Sequence, residues 1–210
     1  MADNYLGRKM EEYEAQKCAS VRTRKVSLMS LLAKNRSTRG FDSAFKVRHD
    51  QLVSLVDAAR LAPSARNQQS LRFRLVTAEE AHLVLPHIKL GGALPELKLP
   101  LEGTEPNAFV VICSDKEGRF IDMDLGIVAQ TMLLRAVEMG LNGVCIGAFD
   151  RKIVSEALGL PLAPQLILAI GRSAENIEIV DIAAGDSQTY YRENNIHYVP
   201  KIKTEDLIIK

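Results

Sequence analysis

Three short polar segments hold the residues best suited to chemistry. They are Arg36-Ser37-Thr38-Arg39, the run Pro63-Ser64-Ala65-Arg66-Asn67-Gln68-Gln69, and Pro200-Lys201-Ile202-Lys203. Guanidinium and ammonium groups make charge-assisted hydrogen bonds to phosphate, roughly twice as strong as neutral ones. Asn and Gln each offer a donor and an acceptor, which matches the edge of a pyrimidine-like ring. The inventory suits a ligand with a phosphate at one end and a planar polar heterocycle at the other. Such a ligand can carry the chemistry itself, and the protein then needs no nucleophile or base of its own. A bland reading stands beside this one: arginines in a turn are commonly solvated, and amides between a helix and a strand commonly cap backbone groups.

Other chemistries find no residues. His49, His82, His87 and His197 form no H-E-x-x-H and join no Cys/His cluster, so no metal site is expected. The sequence holds no G-x-S-x-G, no G-x-G-x-x-G and no G-x-x-x-x-G-K-[ST]. Cys145 lies in an apolar stretch, where a thiol is usually inert. Asp122 and Asp124 precede an apolar helix, and helix N-termini favour carboxylates for structural reasons. No catalytic side chain is therefore assigned. A formal net charge of +1 gives no support for a nucleic acid or an anionic membrane as partner. The apolar stretch around 125–137 is interrupted by Gln130, Thr131 and Arg135, which excludes a membrane span. The start, MADNYLGRKMEEYEAQK, has no apolar signal-peptide region. Cys18, Cys113 and Cys145 are widely spaced, as for reduced thiols, and a cytoplasmic location is expected.

With 210 residues, 47% of them hydrophobic, the chain can bury one sizeable core. Residues 1–26 read as a charged arm, with the RTRK run at 22–25 a solvated face. A short helix over 26–34 leads to a polar turn at 35–42. Leu52, Leu55, Val56 and Ala59 keep helical spacing from His49–Asp50 onward, until Pro63 stops the helix. LRFRLV at 71–76 alternates as a strand does. Thr77-x-x-Glu80 predicts a capped helix over 78–85. Residues 86–107 form a long Pro- and Gly-rich loop of the kind that binds ligands. Strands follow at 108–114, 143–148 and 165–171, with Asp150 capping a helix over 151–158. The helix at 122–140 is apolar nearly all round and needs cover on most sides, which a second subunit would supply. Ala129→Asp is expected to split such a dimer. The tail, 185–210, reads as polar and irregular and docks through Tyr190, Tyr191, Tyr198 and a terminal apolar triplet. Interleaved strands and helices without a dinucleotide fingerprint place the chain in the α+β class.

At these positions the chain resembles the nitroreductase family of flavin-dependent oxidoreductases, over roughly residues 27–210. The family's R-x-S-x-[RK]-x-F is matched by Ser37, Arg39 and Phe41, with Asn35 at the leading position and Arg36 beside it. Its P-S-x-x-N-x-Q-P-W-x-F is matched by Pro63, Ser64, Asn67, Gln69 and Phe73, with Ser70-Leu71 in place of Pro-Trp. A glycine-rich motif fits Gly140, Leu141, Gly143, Ile146, Gly147 and Phe149, and the C-terminal P-K-x-[RK] fits Pro200, Lys201 and Lys203.

The resemblance implies a central, mostly antiparallel sheet flanked by helices, extended terminal arms and a long buried dimer-interface helix. It implies a homodimer with FMN in a cleft between subunits, reduced by NADH or NADPH. Arg36, Ser37, Lys201 and Lys203 would hold the phosphate and ribityl end, and Arg39 and Asn67 the pyrimidine edge. Pro63, Ser64 and Gln69 would lie along the flavin, with the backbone of Ile146 and Gly147 close by. Loop 86–107 would be a substrate lid, and tail 185–210 would dock on the partner subunit. The implied reaction is ping-pong transfer to a small acceptor such as a nitroaromatic or quinone. Dehalogenation, enoate reduction or flavin binding without efficient turnover are the alternatives.

Overall fold

The computed structural model describes residues 9–10, 26–91 and 99–209. Most of the expected arm at 1–26, including RTRK, lies outside the described residues, as does the centre of the expected lid.

The main sheet has four strands: β1 (Arg72–Val76), β2 (Phe109–Ser114), β3 (Asn142–Ile146) and β4 (Ala163–Gly171). Their order is β1-β2-β4-β3, and every pairing is antiparallel. Strand side chains alternate between faces. Val110 and Ile112 of β2, with Leu168 and Ile170 of β4, therefore enter one core. Phe109, Val111 and Cys113, with Ile167 and Ala169, enter a second. Both faces of the sheet are buried, so β2 reads as a continuous apolar run.

Among the described residues, helices accompany the sheets at α1 (Leu28–Lys34), α2 (His49–Arg60), α3 (Arg119–Glu138), α4 (Arg151–Leu158) and α5 (Thr204–Leu207). Leu52, Leu55 and Ala59 of α2 pack with Val128, Ala129, Met132 and Leu133 of α3 in the first core. Val154 of α4 enters the second. Asp150 caps α4 as expected, its Oδ1 accepting from the Ile153 N–H at 3.0 Å.

Three expectations need correction. Residues 78–85 form no α-helix. Short 3-10 turns occupy Ala81–Leu83 and Leu85–His87, and the Thr77 hydroxyl bonds to Glu79 rather than capping a helix. The tail is not irregular. It builds β6 (Tyr191–Glu193) and β7 (Ile196–Ile202), which join β5 (Asn176–Ile182) in a second sheet of order β5-β7-β6. Ala129 is no interface position, being 2% exposed and directed into its own core. The unpartnered apolar face of α3 is instead Phe120, Met123 and Ile127, which are 52%, 51% and 38% exposed. Their spacing puts them on one side of the helix.

Candidate functional site

Polar residues from distant parts of the chain meet on the outer edge of β3. The Thr38 N–H donates to the Gly143 carbonyl at 3.2 Å, and Ser37 bridges Gly143 in parallel. Gly143 permits the packing there, because a Cβ would lie 2.4 Å from the Ala169 carbonyl oxygen and 2.8 Å from Leu133. The turn beyond is held by Glu175. Its Oε2 accepts from the Arg39 and Gly40 N–H groups at 2.6 and 3.1 Å, while Oε1 pairs with Arg192.

These contacts set Arg36, Ser37 and Arg39 against Lys201 around one open cavity of about 300 Å³. Four expected phosphate- or ring-edge residues thus come together from the two ends of the described chain. Arg36 donates from Nη2 to the Leu32 carbonyl at 2.7 Å, whereas its Nε is buried and has no partner. Burial lowers its pKa from the ordinary guanidinium value. A guanidinium held partly out of water with a free N–H, beside two further cations and a hydroxyl, fits an anionic oxygen acceptor.

The cavity also takes in Gln130, Cys145, Tyr190, His197 and Val199, none of them expected. His197, Val199 and Lys201 are two apart along β7, so they share a face. That alternation was available in I-H-Y-V-P-K-I once the tail was read as a strand. Cys145, in the apolar strand expected, is nevertheless exposed, and desolvation raises its thiol pKa.

The second segment sits elsewhere. Ser64 and Gln69 line a separate cavity of about 250 Å³ between α2, β1 and α3. Arg66, Asn67 and Gln69 have φ of 53°, 53° and 46°, a left-handed region that costs a residue with a Cβ about 1–2 kcal/mol. Local bonds hold this conformation. The Asn67 N–H donates to the Ser64 carbonyl at 2.9 Å, and the Gln69 N–H to Ser64 Oγ at 3.2 Å. Gln69 Nε2 donates to Asn67 Oδ1 at 3.1 Å, and Asp124, 3% exposed, accepts from the Ala65 N–H at 2.9 Å. Strain concentrated in a loop of exposed amides is common where a ligand is recognised. Ser70, in the position expected to hold proline, is buried with an unpartnered Oγ.

The remaining expected residues line neither cavity. Pro63 and Asn67 belong to the strained loop. Ile146 is buried at the end of β3, and Gly147 beyond it is exposed. A Cβ on Gly147 would meet nothing within 4 Å, so the chain's own packing does not require glycine there. Lys203 lies past the end of β7, exposed. Among the described residues, no group of three or more His, Cys, Asp or Glu could hold a metal ion. No described helix is long and apolar enough to cross a membrane.

Comparison with known proteins identifies the family. The model of the nitroreductase family matches residues 32–97 and 103–172. A protein of Methanocaldococcus jannaschii is 34% identical over 64 residues, 30% of this chain, which span only 32% of that relative's length. The protein YdgI of Bacillus subtilis is 21% identical over 185 residues, covering 70% of this chain and 88% of that one. The solved structure of an FMN-dependent nitroreductase from Clostridium difficile R20291 is 25% identical, with a TM-score of 0.57 over 71% of this chain and 89% of that one. The match covers the polar turn, the strained loop and β3, and the chain belongs to the nitroreductase family.

Proposed function

We propose that the chain is an FMN-dependent NAD(P)H oxidoreductase that acts as a homodimer and reduces a small acceptor such as a nitroaromatic or quinone. The observation that carries this reading is the cavity shared by Arg36, Ser37, Arg39 and Lys201, with the buried Arg36 Nε lacking a partner. These groups fit the phosphate and ribityl end of FMN. Bound FMN supplies two-electron chemistry, taking hydride from NADH or NADPH and yielding electrons to the acceptor.

At about 300 Å³ the cavity lies at the lower bound of small-molecule sites, roughly 300–1,000 Å³. A flavin nucleotide would extend beyond it and need a second wall. The exposed α3 stripe of Phe120, Met123 and Ile127 supports a two-fold contact along this helix. Gln130 lines the first cavity and Asp124 the second, so the two open on different parts of α3. In this reading the 63–69 loop of one subunit faces the cation cavity of the other. In that arrangement Asn67 and Gln69 read the ring edge, the backbone at Ile146–Gly147 approaches the ring, and Lys203 adds charge near the phosphate. The protein's task is to bind, orient and shield; no side chain need move a proton. Residues 86–107 would cover the acceptor, and a cytoplasmic setting fits the widely spaced thiols.

The test is anaerobic reduction of FMN-loaded protein by NADH and NADPH, followed by addition of acceptors. Bleaching and rapid return of flavin colour with a nitroaromatic or quinone is expected. Bleaching with recovery only in air would favour a flavin-binding protein without efficient turnover.

A further inference from the structure

One buried group in the cation cavity has no role in phosphate binding as described so far. His197 is 3% exposed, and its Nδ1 is buried without a hydrogen-bond partner. His197 lines the cavity together with Arg36, Arg39 and Lys201, and also a neighbouring one with Glu175 and Arg192. Buried polar nitrogens are normally paired, because an unpaired one loses its hydration and gains nothing in return. Arg36 Nε is unpaired in the same way. Two such nitrogens belong to residues that line one cavity, one in the 35–42 turn and one in β7, and no described group bonds to either. The Tyr190 ring, tilted at 46° with its centroid 5.5 Å away, packs against the imidazole.

We propose that His197 is a proton-coupled anion ligand: Nδ1–H donates to a phosphate oxygen of the bound nucleotide, and the imidazole takes up a proton from solvent as the anion arrives. This rests on the reading of the cavity as the cofactor's phosphate site. The charged and titratable groups around His197 set the direction. Arg192 of β6 and Arg39 of the polar turn oppose the imidazolium, Glu175 after β4 favours it, and Lys201 and Tyr190 line the same cavity. Burial first, and then the two arginines, hold the imidazole pKa below its ordinary value. Without an anion beside it, the imidazole favours its neutral form. A phosphate brings compensating negative charge, which raises the pKa and draws in the proton. Affinity for the anion then rises as pH falls from about 8 toward about 7, where the phosphate keeps most of its second charge.

The experiment titrates the full chain and its His197→Gln variant with FMN and with riboflavin, which lacks the phosphate, at those two pH values. The His197 ring resonances of the unsubstituted protein are followed as inorganic phosphate is added. FMN should bind several-fold tighter at the lower pH. His197→Gln should lose about tenfold in FMN affinity there, together with the pH slope, and leave riboflavin affinity unchanged. Inorganic phosphate should raise the His197 pKa. Equal losses for FMN and riboflavin would assign His197 a purely structural role and overturn the proposal. So would a phosphate addition that leaves the imidazole titration unmoved, a result that needs no variant to fold. If phosphate shifts His197 while neither flavin binds, the oxidoreductase reading fails and the anion site stands. If flavin binds and bleaches while His197 does not respond, only the histidine proposal fails.

Discussion

Asp124 and Ala65 are joined by a single partly buried hydrogen bond, the carboxylate accepting from the backbone N–H at 2.9 Å. It ties the strained 64–69 loop to α3, the helix that also carries the exposed apolar stripe. A hydrogen bond to a charged group contributes about 1.5–3 kcal/mol. Asp124→Ala should lower stability by about that amount in urea unfolding and weaken FMN binding in the same preparation. Unchanged flavin affinity in the destabilised variant would separate the loop from the site.

Asn67 offers a narrower probe. Its φ of 53° is one that glycine adopts freely. Asn67→Gly should keep the left-handed backbone while removing the side chain that would meet the ring, together with its exposed bond from Gln69 Nε2. FMN affinity should fall by about 1–3 kcal/mol, as for a lost buried hydrogen bond, with little loss of thermal stability. A calorimetric titration that shows no change would take Asn67 out of the site.

The α3 helix distinguishes assembly from folding. Ile127→Asp puts a charge on the exposed stripe, and Ala129→Asp puts one in the core. Sedimentation should show a folded monomer with weakened flavin binding for Ile127→Asp. Ala129→Asp should fail to fold, because an isolated buried carboxylate is too costly. A flavin-loaded Ile127→Asp monomer would count against a cleft shared between subunits.

Cys113 gives a pH dependence with a definite sign. Burial pushes its thiol from 9.0 up to about 11, so the folded chain favours the neutral form. That stability is complete below pH 9.0 and is lost as pH rises toward about 11. The loss is on the order of 2–3 kcal/mol at full ionisation. Cys113→Val should flatten this part of the curve. Parallel alkaline losses in both proteins, read from urea midpoints, would assign the effect to other groups.

Much of the main sheet was legible because its physics is local. Six consecutive apolar residues at 108–113 could only be a central strand or a buried helix segment, and their brevity favoured the strand. Asp150 before an apolar-periodic run marked its own helix start. The second sheet was hidden by Pro200, which argues against a strand. β6 pairs with β7 only from Ile196 to Tyr198, so Pro200 sits where that side of β7 is unpaired. The Thr77–Glu80 motif misled because a capping box reports two residues' chemistry, and Pro86 leaves too little chain for helix growth.

The site was legible in parts rather than as a place. The motif residues identified cations and amides, yet nothing local says that Arg36 and Lys201 share a cavity or that Ser64 and Gln69 belong to another. That depends on the polar turn bridging β3 at Gly143 and on β7 folding back beside β5. His197 was passed over because an isolated histidine in a polar tail carries no signal until the strand's two-residue period is seen.

The measurement that bears most directly on the central claim is gel filtration of the protein mixed with FMN, compared with Arg36→Ala and Lys201→Ala variants. The unsubstituted protein should elute yellow, as a dimer, with each variant retaining less flavin at the same elution volume. A colourless dimer, or variants that hold FMN as tightly as the unsubstituted chain, would show that the cation cavity does not bind the cofactor.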